Sequence, residues 1–130
     1  MKVVTIDTGY KFQGHSEITD IEYKSGRLEI TSQFTRETRT VRVLFQYVYG
    51  FRVLDEGDLL EFWPVCSTSS GWIFQIIEGG WFDQERLRTG FVSGYGREFN
   101  EYLITGINEC VSIFSWAPPE LYLDTLKDDT

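Results

Sequence analysis

Carboxylates are the groups in this chain whose type and spacing come closest to a chemical constellation. Asp55, Glu56, Asp58 and Glu61 crowd into one short stretch. Two carboxyl groups facing each other across a cleft can divide acid and base roles, as they do in glycoside cleavage. The same run is also what opens a helix, because acidic side chains suit its positive end and Asp is a frequent cap. Leu59, Leu60, Phe62 and Trp63 follow as an apolar stripe and Pro64 closes it, so the capping role prevails over catalysis.

A second acidic run holds Glu78, Asp83 and Glu85 around Gly79-Gly80, Trp81 and Phe82. If Trp81 and Phe82 prolong a strand past the glycines, they face opposite ways and one of them looks away from the core. An aromatic anchor ringed by charge is a common feature of binding interfaces. The expected partner-binding set is therefore Asp55, Glu56, Asp58, Glu61, Glu78, Trp81, Phe82, Asp83 and Glu85.

Other chemistries lack parts. His15 is the single histidine and lies in a polar stretch, KFQGHSE. Cys66 and Cys110 are far apart, with no CxxC, HxH or HExxH spacing, so a structural metal site has no support. The glycine-rich GYGREFN is neither a GxxxxGK[ST] loop nor a strand–GxGxxG–helix unit. No catalytic residue, metal or cofactor is expected.

The elements that carry these groups are mostly strands. Every odd position from Val41 to Val53 is apolar or aromatic, a two-residue period that marks a strand with one buried face. It predicts a core centred on Val43, Phe45, Tyr47, Tyr49 and Phe51. Before it, SEITDIEYKSGRLEITSQF predicts a hairpin with Ser25-Gly26 at its turn. After it come a short helix from Asp55, a run that fits a bent strand equally, then a loop over 67–71 and an apolar strand WIFQII. Residues 83–88 fit a strand or a turn of helix equally, and 90–96 form a glycine-rich crossing. A closing hairpin pairs residues 102–105 with 110–114, and after Pro118-Pro119 the tail frays.

The count is about six to eight strands in sequence-adjacent pairs. It gives an all-β to α+β fold, a mainly antiparallel β-sandwich or partly open barrel with one short helix, in a single domain spanning 1–130.

The bulk properties limit the partners. With 20 acidic and 12 basic residues the formal net charge is −8, which disfavours nucleic acid and anionic membranes and allows a basic protein. No apolar run approaches the ~20 residues that span a bilayer. MKVVTIDTGYKF lacks a signal-peptide core, so a cytoplasmic location is the default, and the two cysteines are expected to be buried, unpaired thiols. Aromatic residues make up 16% of the chain, which suits half-buried strands.

FRVLDEGDLLEFW, WIFQIIEGGWFDQE and EYLITGINECVSIFSWAPPEL, lying between Phe51 and Leu121, together resemble small bacterial immunity proteins of polymorphic or contact-dependent toxin systems. The resemblance implies a non-enzymatic protein that binds one cognate toxin domain and blocks it. A nuclease toxin must be basic to meet phosphate, and an acidic inhibitor would be steered to it at ~10⁸ M⁻¹s⁻¹ or faster at low salt. The alternative is a small-ligand-binding β-barrel, with Tyr47, Tyr49, Phe51, Phe74 and Tyr102 pointing into an unfilled interior. The same rings close-packed, with acids outside, favour a protein partner. A third class, an enzyme, needs two carboxylates converging in a cleft. Oligomeric state is not legible in the residues.

Overall fold

The computed structural model describes residues 1–67, 71–91 and 100–125. Among them nine strands form: β1 (Lys2–Thr5), β2 (Ser16–Lys24), β3 (Arg27–Phe34), β4 (Arg39–Phe45), β5 (Val48–Asp55), β6 (Ile73–Glu78), β7 (Asn100–Ile104), β8 (Glu109–Ser115) and β9 (Glu120–Thr125). The helix α1 spans Trp81–Glu85, and a single 3-10 turn covers Glu56–Asp58. The strands make two antiparallel sheets, one ordered β1-β6-β7-β8-β5 and the other β2-β3-β4-β9. Neither closes into a barrel, so the sandwich is the correct half of the sequence expectation.

Local chemistry explains the pieces that the residues predict well. Ser25 and Gly26 both take left-handed backbone angles, φ 45° and 86°, which is the two-residue turn whose twist matches its strands. They set the β2–β3 register, with Lys24 opposite Arg27. The β7–β8 hairpin also forms where expected, with Ile104 opposite Val111.

The long strand over 41–53 does not exist as one element. It is β4 and β5, which lie in different sheets and meet at a corner on Gln46 and Tyr47. Val41, Val43 and Phe45 are fully buried as expected, whereas Tyr47, Tyr49 and Val53 are exposed and Phe51 is half-buried. The alternation holds on β4. Along the edge strand β5 it does not mark the covered face, because Val48, Gly50, Arg52 and Leu54 are buried or half-buried while only Phe51 of the odd set is covered.

Two apolar clusters result. One fills the space between the sheets, with Leu28, Ile30, Val41, Val43 and Phe45 on one side and Ile73, Tyr102, Ile104, Val111 and Ile113 on the other. The second lies on the outer face of the five-stranded sheet, where Leu59, Phe62 and Cys66 cover Phe74, Ile76, Leu103 and Cys110. The expected helix after Asp55 shrinks to the 3-10 turn, in which Asp55 accepts from the Gly57 amide at 2.8 Å. Its apolar stripe is only partly correct, because Leu60 is exposed.

Two further expectations fail. Trp81 and Phe82 open a helix instead of extending β6. Regular structure does not end at Pro118-Pro119, since β9 pairs with β4 along Arg39–Leu44; residues 126–130 of the tail expected to fray lie outside the described residues. Parts of the predicted loop at 67–71 and crossing at 90–96 fall outside the described residues.

Candidate functional site

The outer face of the five-stranded sheet gathers the most unusual side chains. Strand register puts Ile76, Glu101, Phe114 and Gly50 in one row across β6, β7, β8 and β5. The next row runs through Phe74, Leu103, Ser112 and Arg52. Helix α1 lies on the first row. The Trp81 ring stacks on Phe114 with centroids 4.0 Å apart, and Phe82 meets the same ring edge-on at 5.6 Å.

Gly80 permits this approach. A Cβ on Gly80 would stand 2.6 Å from both Glu101 Oε2 and Ile76 Cγ2. One on Gly50 would only reach ordinary contact, 3.4 Å from Phe114 and 3.9 Å from the Trp81 ring. Both half-buried rings therefore point at the sheet, and the strand-like opposition of Trp81 and Phe82 is absent.

Glu101 is the buried carboxylate of this face, 4% exposed. Its oxygens accept from the Trp81 amide at 3.0 Å and the Phe82 amide at 2.7 Å. Burial pushes its carboxyl above the usual range, opposed by those two amides and by Arg52. Arg52 lies beneath Trp81, its guanidinium carbon 4.8 Å from the ring centroid. Its Nε is buried without a hydrogen-bond partner among the described residues. Burial lowers the Arg52 pKa, while Glu101, Glu61 and Glu85 hold it up.

The residues singled out in the sequence are thus only partly assembled. Trp81 lies over Arg52 and holds Glu85 through its Nε1, Phe82 and Asp83 share α1 with them, and Glu61 acts on Arg52 through its charge. Asp55, Glu56 and Asp58 follow the other end of β5, where Asp55 pairs with Glu109, and Glu78 ends β6 opposite Lys2. Several acids are already engaged: Asp83 accepts from the Gly79 amide at 2.6 Å and pairs with Arg86 at 3.3 Å. Glu85 accepts from Trp81 Nε1 at 3.2 Å and pairs with Arg88, which holds its carboxyl below the usual range. Glu56, Asp58, Glu61 and Glu78 are exposed.

Arg52 and Glu101 were missed by the sequence reading. A signal for Glu101 existed, because it shares strand phase with the apolar Leu103 and so faces a covered layer. Arg52 has the same relation to Leu54.

A groove of about 500 Å³ opens elsewhere, between residues 5–16 and Phe34, Trp72 and Thr105. Phe12 stacks on Phe34 at 4.5 Å and meets Trp72 edge-on, making an aromatic floor, and His15 and Lys11 stand at its lining. Among the described residues no cluster of His, Cys, Asp and Glu could hold a metal ion, and no helix is long and apolar enough to cross a membrane. No protein family, curated protein or solved structure matches the chain.

Proposed function

We propose that this chain is a non-enzymatic binding protein that captures and neutralises a basic protein domain, in the manner of immunity proteins. The observation that carries this is the half-buried Trp81 ring, stacked between Phe114 and the Arg52 guanidinium with Glu85 accepting from its Nε1, in a patch that also feels the charge of Glu61 from a distant segment. A rigid aromatic patch with acids around it is a common form of protein-binding anchor. Glu101, the carboxylate with the environment of a general acid, spends both oxygens on backbone amides, which supports a structural use of it. Phe74 and Tyr102 are close-packed, with Tyr102 5.4 Å from the Phe45 ring. That arrangement favours a protein partner over a ligand held inside a barrel.

The test is a pull-down with the product of the neighbouring gene, followed by association kinetics. Glu61→Lys and Asp58→Lys should mainly slow association and flatten its salt dependence, as rim charges do. Trp81→Ala should speed dissociation, with circular dichroism checking that the sheet survives. Variants that bind and protect cells as the parent does would move the interface elsewhere. The groove beside Trp72 supports a second reading, a small-ligand site, since its volume lies in the range of ligand clefts. A small molecule retained in native mass spectra, with no neighbouring protein bound, would favour that reading.

A further inference from the structure

The corner between β4 and β5 lies outside the site above and shows strain that core packing does not offset. Tyr47 holds φ at 57°, a region that bulky side chains rarely enter. The residue is 67% exposed, so burial gives little in return. The corner is over-determined by its neighbours. Ser115 Oγ lies 2.9 Å from the Gln46 carbonyl oxygen and 3.0 Å from that of Ala117. The Val48 amide donates to Gly26 O at 2.8 Å. Strained residues fixed in this way cluster at binding sites, and the inference runs from the outlier to the function. Tyr49 and Trp116 stand beside it, 43% and 44% exposed, with ring centroids 6.1 Å apart.

We propose that the Tyr47–Tyr49–Trp116 corner is a docking surface for arginine-bearing segments of a basic protein. This rests on the basic-partner reading above and adds a second, aromatic anchor to it. The electron-rich faces of Tyr and Trp attract guanidinium groups. The chain itself uses that contact repeatedly, with Arg39 over Phe12, Arg42 over Tyr122, Arg52 over Trp81 and Arg88 over Phe91. No arginine among the described residues stands over Tyr47. The Glu120 carboxylate, 3.4 Å from Gln46 Nε2, supplies negative charge next to the corner, and the net charge of −8 adds the long-range attraction.

The experiment titrates the full chain with deca-arginine and deca-lysine at low and high salt, and measures melting temperatures alongside. The parent should prefer deca-arginine, because a planar guanidinium stacks on rings where an ammonium does not. Tyr47→Asn should weaken deca-arginine binding about tenfold while changing deca-lysine binding by less than about twofold. It should also melt higher, since Asn tolerates the left-handed backbone. Trp116→Ala should weaken deca-arginine binding in the same way.

A Tyr47→Asn variant that binds like the parent, or that melts lower, overturns the assignment. If Glu61→Lys weakens deca-arginine and Tyr47→Asn does not, the basic-partner reading stands and the corner falls. If the parent binds neither peptide at low salt, both fall. A parent dimer that Tyr47→Asn converts to monomer would make the corner a contact between copies and overturn the basic partner there.

Discussion

Phe45 and Tyr47 sit two residues apart in one apolar alternation, yet one ring is fully buried and the other exposed. Phe45 packs on Tyr102 across the gap between the sheets. Removing it leaves a cavity that close-packed neighbours cannot fill, so Phe45→Ala should cost about 3–5 kcal/mol. Val53→Ala, at the exposed edge, should stay within about 1 kcal/mol. Urea denaturation of the two variants checks this, and equal midpoints would show that the buried face is misassigned. The thiols make a second residue-scale prediction. Cys66 and Cys110 are free and buried in one cluster. Burial pushes the Cys66 thiol up to about 11 and raises Cys110 as well. Since the thiolate is the reactive form, iodoacetamide at neutral pH should label neither in the native protein and both in denaturant. Rapid native labelling would mean that the cover made by Leu59 and Phe62 opens readily.

At the scale of elements, α1 shows why part of the site was illegible in the sequence. Five residues are too few for a helical period to appear, and too few to be stable alone. The helix exists because Glu101 takes its first two amides and Phe114 takes its rings, both contacts distant in sequence. Hairpins such as β2–β3 were legible because their turn chemistry is local. The β4–β5 corner was hidden because the apolar alternation of the sequence continues through it unchanged, while the partner sheet and the covered face of the strand both change.

The latch at Glu101 has a consequence for pH. Its carboxyl is raised by burial, so between the ordinary carboxylate range and the raised value the folded protein holds a proton that the unfolded chain has released. Stability from this group therefore falls as pH climbs through that window. Glu85 and Asp124 are depressed, by Arg88 and Arg42 first. Their contribution is present above the ordinary range and lost as pH falls through the depressed values. Urea midpoints should peak in mild acid, and Glu101→Gln should flatten the alkaline side of that peak. Parallel profiles for parent and variant would remove Glu101 as the cause.

At the scale of the whole molecule, the fold depends on closures between distant segments. β1 reaches β6, and β9 returns to β4 after four strands of the other sheet, β5 to β8, have intervened. Such topology predicts folding in milliseconds to seconds rather than microseconds. β9 went unread because ELYLDT is short and follows two prolines that usually end regular structure. Its place is nonetheless structural. It pairs with β4 from Arg39 opposite Thr125 to Leu44 opposite Glu120, and Leu121 and Leu123 pack on the inter-sheet core. Arg42 also pairs with Asp124 at 2.6 Å and lies over Tyr122, but half-exposed ion pairs contribute little. The weight rests on two leucines, half-buried and so worth a part of the about 1.5–3 kcal/mol of a fully buried side chain, and on ladder hydrogen bonds of about 1 kcal/mol each. Together these are a large share of the roughly 5–15 kcal/mol that hold an ordinary domain folded. A chain ending at Pro119 should therefore lose its cooperative thermal transition and bind a hydrophobic dye. A truncated chain with the parent's near-ultraviolet circular dichroism and a sharp transition would show that β4 is stable as an edge strand, and that the inter-sheet core is complete without β9.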